Sequence, residues 1–160
     1  MTGRSALRLL PIVVALALAA VALGAPRFTW ANEGVIVDHP WTHPAAAVAG
    51  ALAAGTAALL SRPRALAATA GCGGLLLLAL AASQVRYRID ALEAGLQQRT
   101  LTGAVRFAWG ELEAVEPRAN AINLRSRDGR SVVIETSRFA PEDRNRLERT
   151  IARRVKEAAR

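Results

Sequence analysis

The stretch LLLLALAASQVRYRIDALEAGL, residues 75–96, passes from an apolar run into alternating residues with no linker between them. The first half has the composition of a membrane-spanning helix. In the second half, Val85, Tyr87 and Ile89 alternate with polar residues, which is the repeat of a half-buried strand. The sequence therefore predicts a folded domain that is joined directly to the end of a hydrophobic helix.

Charge is divided along the chain in the same way. The 160 residues include 21 Lys and Arg and 13 Asp and Glu, yet residues 1–83 hold only 5 of the basic and 2 of the acidic ones. Residues 84–160 hold the remainder and carry a net charge of +5. We therefore predict a membrane region over residues 1–83 and a small basic domain over residues 84–160.

Three apolar segments, at about residues 8–25, 45–60 and 65–83, are candidate transmembrane helices. A helix needs about 20 apolar residues to cross a bilayer, and the middle segment is the shortest of the three. The first segment also fits a cleaved signal peptide. Pro26 directly after Ala25 opposes cleavage at that point, so we favour a retained helix and leave the alternative open.

Small residues recur in the second and third segments and are candidates for close helix packing. They include Gly50 and Ala54 in the second segment and Gly71 and Gly74 in the third. In lipid, small side chains allow helix backbones to approach one another. The high alanine content of this region is the competing explanation of the pattern.

Two tryptophans flank the polar segment between the first two helices. Trp30 and Trp41 are predicted to be aromatic anchors at the membrane–water interface. His39 and His43 are four residues apart, but Pro40 and Pro44 oppose a helix that would align their imidazoles. We therefore predict no metal site, and no cofactor is required by any motif in the chain.

The segment AINLRSRDGRSVVIE, residues 121–135, predicts a β-hairpin. A two-residue turn would place Ile122 opposite Glu135. A three-residue loop that ends at Gly129 places Ile122 opposite Ile134 and gathers the apolar side chains on one face. Because a shift of one residue inverts every side chain, the sequence favours the three-residue loop.

A terminal helix is predicted after this hairpin, in APEDRNRLERTIARRVKEAAR, residues 140–160. Pro141 suits the first helical turn. Leu147, Ile151 and Val155 form a narrow apolar stripe that can pack against a sheet. The strands and this helix together predict a compact α+β domain.

Three segments of this domain resemble the bacterial pleckstrin-homology-like (PH-like) domain: YRIDALEAGLQQRT (87–100), FAWGELEAVE (107–116) and INLRSRDGRSVVIETSRF (122–139). The resemblance covers roughly residues 84–157 and implies an antiparallel sheet or partial barrel with a closing helix. It also implies that Trp109 and Phe139 are core residues. The chain departs from the family by having a third N-terminal helix and too few apparent strands.

Function is predicted by exclusion and by this resemblance. The domain has neither His nor Cys to support nucleophilic catalysis, and its aromatic residues occupy core positions instead of a nucleic-acid stacking platform. We therefore expect neither an enzyme nor a nucleic-acid-binding protein. The first hypothesis is a membrane-tethered scaffold that docks another membrane protein or a second copy of the chain. The alternative is binding to anionic lipid, with Arg86 and Arg88 as headgroup contacts or ordinary flanking anchors.

The expected location is a bacterial cytoplasmic membrane, with a multi-pass topology. With three helices, four arginines fall on each side: Arg4, Arg8, Arg62 and Arg64 on one, and Arg27, Arg86, Arg88 and Arg99 on the other. The positive-inside rule therefore does not decide the orientation. The resemblance implies a cytoplasmic domain.

Overall fold

The structure is a computed structural model that describes residues 3–61 and 63–160. The chain divides into two compact units. The helical unit contains the chain up to Gly24 and His39–Arg86, and the sheet unit contains Ala25–Asp38 and Tyr87–Arg160. The chain therefore passes between the two units three times, after Gly24, after Asp38 and after Arg86.

The helical unit consists of α1 (Gly3–Ala22), α2 (Thr42–Leu60) and α3 (Arg64–Arg86). Helices α2 and α3 are long and apolar enough to cross a membrane, whereas the apolar part of α1, Leu9–Ala22, is shorter. Helix α2 packs against both of the others. Many of the large apolar side chains on these helices point outward, as expected of helices that lipid surrounds: Leu52, Leu59, Leu75 and Leu76.

The sheet unit contains two antiparallel sheets and a terminal helix. The first sheet has the order β1 (Arg27–Ala31), β2 (Gly34–Asp38), β3 (Arg88–Leu92), β4 (Gly95–Thr100) and β5 (Gly103–Phe107). The second has the order β6 (Leu112–Arg118), β7 (Ala121–Ser126) and β8 (Ser131–Glu135), followed by α4 (Pro141–Ala158). The two sheets do not form a closed barrel.

The segment between α1 and α2 corrects the predicted domain boundary. Residues 25–38 belong to the sheet unit, because β2 pairs with β3 through Val35↔Ala91 and Val37↔Ile89. These four side chains are almost completely buried in the core of the sheet unit. The sheet unit therefore includes two strands from a hairpin inserted between two helices, in addition to those within residues 84–160.

The junction between the last apolar helix and the following strand also lies later in the chain than predicted. Helix α3 continues to Arg86, and Val85 is an exposed helical residue instead of the first residue of a strand. One residue before Val85, the buried side-chain amide of Gln84 donates a hydrogen bond to the Ala22 carbonyl oxygen at the end of α1. The amide nitrogen thus has an acceptor, whereas the buried Oε1 of Gln84 has no hydrogen-bond partner among the described residues.

The second half of the sheet unit confirms the predicted hairpin. Ile122 pairs with Ile134 and Leu124 pairs with Val132, as the three-residue loop requires. Gly129 has a φ of +86°, the left-handed conformation that this loop needs at its last residue. Burial of apolar side chains on one face therefore fixed the register, in agreement with the sequence pattern.

The core of the sheet unit joins both sheets to α4. Leu147 and Ile151 of the predicted stripe are fully buried, and Val155 packs at the edge of the core. Trp109 is also buried, and its indole Nε1 donates to the Leu92 carbonyl oxygen at 2.8 Å. Phe139 packs edge-on against Phe28 of β1, with ring centroids 4.9 Å apart. The inserted hairpin is thus part of the same core.

Candidate functional site

The predicted membrane-interface residues are distributed over both units. Trp41 is 77% exposed at the start of α2, and Arg86 is exposed in the last turn of α3. Arg88 has a partner within the sheet, because its Nε lies 2.7 Å from Oδ1 of the largely buried Asp90. Pairing with a buried carboxylate gives Arg88 a structural role in the sheet. Arg86 and Trp41 keep the exposure that contact with a membrane surface needs.

Trp30 has an environment that differs from the predicted interface anchor. It lies in β1, partly buried against the core of the sheet unit. The guanidinium carbon of Arg146 in α4 sits 4.1 Å from the centre of its ring. Such a cation–π contact holds the arginine side chain in place. The indole therefore helps to attach α4 to the inserted hairpin.

Three of the four predicted helix-packing residues lie at close helix contacts. Gly50 of α2 faces both neighbours, since a Cβ there would lie 3.3 Å from Leu18 Cβ and 3.1 Å from Leu77 Cδ1. Gly74 faces α2, where a Cβ would lie 3.6 Å from the Cβ of the buried Ala54. Gly71 differs, because a Cβ there meets no atom of the described chain within 4 Å.

The two histidines meet in spite of the flanking prolines. Nδ1 of His39 and Nδ1 of His43 are 3.4 Å apart. Helix α2 begins at Thr42, so His39 reaches His43 from the chain before the helix and both residues need not share a helical face. Within residues 3–61 and 63–160, no third His, Cys, Asp or Glu joins them to form a metal-binding group.

The feature that the sequence analysis missed is a cleft between the inserted hairpin and α4. We call it the arginine groove. Its walls are the turn end of β1–β2 on one side and one face of α4 on the other, and it encloses about 370 Å³. The lining residues are Trp30, Ala31, Asn32 and Gly34 on the hairpin and Arg146, Arg149, Thr150, Arg153 and Arg154 on α4.

The spacing of the helical residues explains why they share one wall. Positions 146, 149, 150, 153 and 154 follow the spacing i, i+3, i+4, i+7 and i+8 and so lie along one side of a helix. This side adjoins the apolar stripe that α4 buries in the core. The sequence shows the spacing of these arginines. It does not show the opposite wall, because that wall forms only when residues 27–38 fold as a β-hairpin.

The charge of the arginine groove is strongly positive. Four guanidinium groups line it, and no Asp or Glu of the described chain is among the lining residues. Glu157 is the nearest paired carboxylate, 3.9 Å from Arg153 Nε and 3.9 Å from Arg154 Nη1. Both distances are at the limit of an ion pair, and the carboxylate offsets only part of the charge. The groove is therefore a site suited to an anion.

The ionisable groups of the sheet unit offer no comparable second site. Burial, followed by the negative charge of Glu135, raises the pKa of Tyr87 well above its ordinary value. The phenol therefore stays protonated as part of the core. The Arg130 backbone N–H and side chain lower the pKa of Asp128, which stabilises the β7–β8 turn.

Comparison with known proteins adds no further constraint on the site. The chain matches no protein-family model, no curated protein and no solved structure. The resemblance to PH-like domains therefore stays a prediction that these comparisons neither confirm nor refute.

Proposed function

We propose that the chain is a non-enzymatic, multi-pass protein of a bacterial cytoplasmic membrane whose PH-like sheet unit is a docking module for membrane proteins. The observation that carries this proposal is the insertion of β1 and β2 between α1 and α2. Three chain connections join the sheet unit to the helical unit, and a single residue, Tyr87, separates the end of α3 from the start of β3. Such attachment suits a module that stays tethered to the membrane.

The strand pattern also supports the docking role. Strand β5 has a strand neighbour on one side only within the described chain, and residues 103–106 of it are exposed. An unpaired edge offers backbone donors and acceptors to another chain. The proposed partner is another protein of the same membrane or a second copy of this chain.

Docking can be tested with a photo-activated cross-linker placed at Val105 of β5 in cells, with the same cross-linker at the exposed Ala152 of α4, which lies on no sheet edge, as control. We expect a discrete cross-linked species from Val105, either a dimer of two differently tagged copies or a complex with one membrane protein. The Ala152 variant should give less of it. No discrete species from any exposed edge position would refute the docking role.

The chain topology makes a separate prediction about sidedness. If α2 and α3 each cross the membrane, the hairpin before α2 and the domain after α3 must lie on the same side. Single cysteines should be introduced as Asn32→Cys, Ser61→Cys and Arg160→Cys, with Cys72→Ser to remove the exposed native thiol. A membrane-impermeant maleimide added to intact cells should label the Ser61 variant alone.

Two outcomes of this labelling experiment have distinct meanings. Labelling of the Asn32 and Arg160 variants, with protection of the Ser61 variant, would reverse the proposed cytoplasmic orientation and keep the paired spans. Different labelling of the Asn32 and Arg160 variants would contradict the topology itself, because two parts of one sheet cannot lie on opposite sides of a membrane. As a control, the cells are permeabilised before labelling, and all three variants should then react if each cysteine is accessible to the maleimide.

Binding to anionic lipid is the second candidate function. It is favoured by the four arginines of the arginine groove, which supply more cationic groups than the predicted pair Arg86 and Arg88. The salt bridge of Arg88 to Asp90 argues against Arg88 as a headgroup contact, a role that the sequence had suggested.

A further inference from the structure

We propose that the arginine groove binds a phosphate-bearing anion between the β1–β2 turn and α4. The inference goes beyond the docking role and does not depend on it. Four guanidinium groups converge on a cleft in which the opposite wall consists of Trp30, Ala31, Asn32 and Gly34. Converging like charges repel one another, so a bound dianion or monoanion would relieve an unfavourable arrangement.

Arginine is chemically suited to this ligand. Its planar guanidinium donates two parallel N–H groups to phosphate oxygens and remains charged at any physiological pH. Thr150 lies on the same wall, but its hydroxyl donates to the Arg146 carbonyl oxygen at 2.8 Å, so the guanidinium groups are the side-chain donors to a phosphate. The groove volume of about 370 Å³ lies at the lower end of small-molecule sites, enough for a phosphate and part of the group that bears it.

Two of the arginines are held in place before a ligand arrives. Arg146 stacks on the Trp30 ring at 4.1 Å, and Arg154 Nη2 lies 3.4 Å from the Glu33 carbonyl oxygen. Both contacts tie α4 to the hairpin. Arg149 and Arg153 are exposed, and they line the same groove. Holding part of the donor set in position reduces the entropy that binding must overcome.

A phosphate group at this site can come from a lipid headgroup or from a soluble phosphate ester, and the chemistry of recognition is the same. Nucleic acid is disfavoured, because one face of Trp30 is covered by Arg146 and the lining residues include no second aromatic ring on which a base could stack.

The test uses the full chain purified in an uncharged detergent. Calorimetric titration with glycerol 3-phosphate and with inorganic phosphate measures the soluble source. Native mass spectrometry after addition of phosphatidylglycerol or phosphatidylcholine measures the lipid source. The test variant is Arg149→Gln/Arg153→Gln, two exposed positions of the groove. The control is Arg127→Gln/Arg138→Gln, which removes the same charge from exposed positions outside it.

We expect salt-sensitive binding of at least one phosphate source by the wild-type chain. Affinity should fall about ten-fold for each arginine removed from the groove, since a charge-assisted contact is being lost, and stay near the wild-type value in the control. Binding of glycerol 3-phosphate or inorganic phosphate would identify a soluble ligand. Retention of phosphatidylglycerol, without binding of either soluble probe, would identify a lipid headgroup.

Three results would overturn the proposal. The first is no binding of any of these probes at millimolar concentration. The second is an equal loss of affinity in the control variant, which would mean that the effect depends only on the net charge of the chain. The third is tighter, competitive binding of a short oligonucleotide, which would assign the groove to nucleic acid. None of these results bears on the Val105 cross-link, so the docking role can fail or hold separately.

Discussion

Replacing Gly34 with alanine is expected to separate β2 from β3 and to cause the larger part of the sheet unit to unfold. Gly34 has a φ of +150°, and a Cβ there would overlap the carbonyl oxygen of Ala91 and lie 3.0 Å from Leu92 Cα. These are backbone atoms of β3, so no side-chain rotation relieves the clash. We expect the free energy of unfolding to fall by more than about 3 kcal/mol.

The matched control is Gly103→Ala, at the start of β5. Gly103 has a similar φ of +159°, but a Cβ there meets no atom of the described chain within 4 Å. This variant carries the backbone strain without the clash and should cost about 1–3 kcal/mol. The difference between the two variants therefore reports the contact between β2 and β3.

Urea unfolding followed by tryptophan fluorescence provides the measurement. A Trp41→Phe background leaves Trp30 and Trp109 as reporters, and both lie in the sheet unit. Equal loss of stability in the two glycine variants would mean that the clash does not exist. A Gly34→Ala variant as stable as the parent would contradict the pairing of β2 with β3.

Replacing Gly50 with leucine is expected to force the helices of the helical unit apart. Even a single Cβ would lie 3.1 Å from Leu77 Cδ1, 3.3 Å from Leu18 Cβ and 3.5 Å from the Ala15 carbonyl oxygen. A leucine adds three more carbons between α1, α2 and α3. Overpacking of this kind costs about 1–3 kcal/mol or more, and we expect a lower thermal unfolding temperature in detergent.

Gly71→Leu is the control for the Gly50 variant. It makes the same exchange in α3, where a Cβ meets nothing of the described chain within 4 Å. Both variants gain about 1 kcal/mol of helix propensity and the same apolar surface, so these effects cancel in the comparison. Thermal melting with size-exclusion chromatography before heating separates unfolding from aggregation. Equal melting temperatures for the two variants would contradict the close contact at Gly50.

Local sequence patterns were sufficient to predict the β7–β8 hairpin and the buried face of α4. The register of Ile122 against Ile134 was predicted correctly because one face of a hairpin must collect its apolar side chains. The stripe of Leu147 and Ile151 in α4 was predicted for the same reason. In each case the pattern that decides the structure lies within about 15 neighbouring residues, as short-range periodicity requires.

Local patterns were insufficient where the partner lies far along the chain. Val35 and Val37 alternate as strand residues do, but their burial depends on Ile89 and Ala91, which follow two intervening helices. Between helices that look membrane-spanning, Trp30 was interpreted as an interfacial anchor. The arginine groove was missed as a consequence, because its second wall is this hairpin.

The pairing of β2 with β3 is the claim on which the rest depends, and a disulfide tests it most directly. Asp38 and Arg88 are register partners across these strands, and antiparallel partners have Cα atoms about 4.5–5.5 Å apart, within disulfide range. The variant Asp38→Cys/Arg88→Cys, in a Cys72→Ser background, should form an intramolecular disulfide in native membranes under mild oxidation.

The control for that measurement is Asp38→Cys/Arg99→Cys. Arg99 is the partner of Arg88 on the far side of β3, so it lies two strand spacings, about 9–10 Å, from Asp38. Mass spectrometry of the intact chain, with free thiols alkylated, counts the bonds formed. The structure predicts near-complete oxidation of the Asp38/Arg88 pair and little of the Asp38/Arg99 pair. Equal oxidation of the two pairs, or none in the first, would contradict the inserted hairpin.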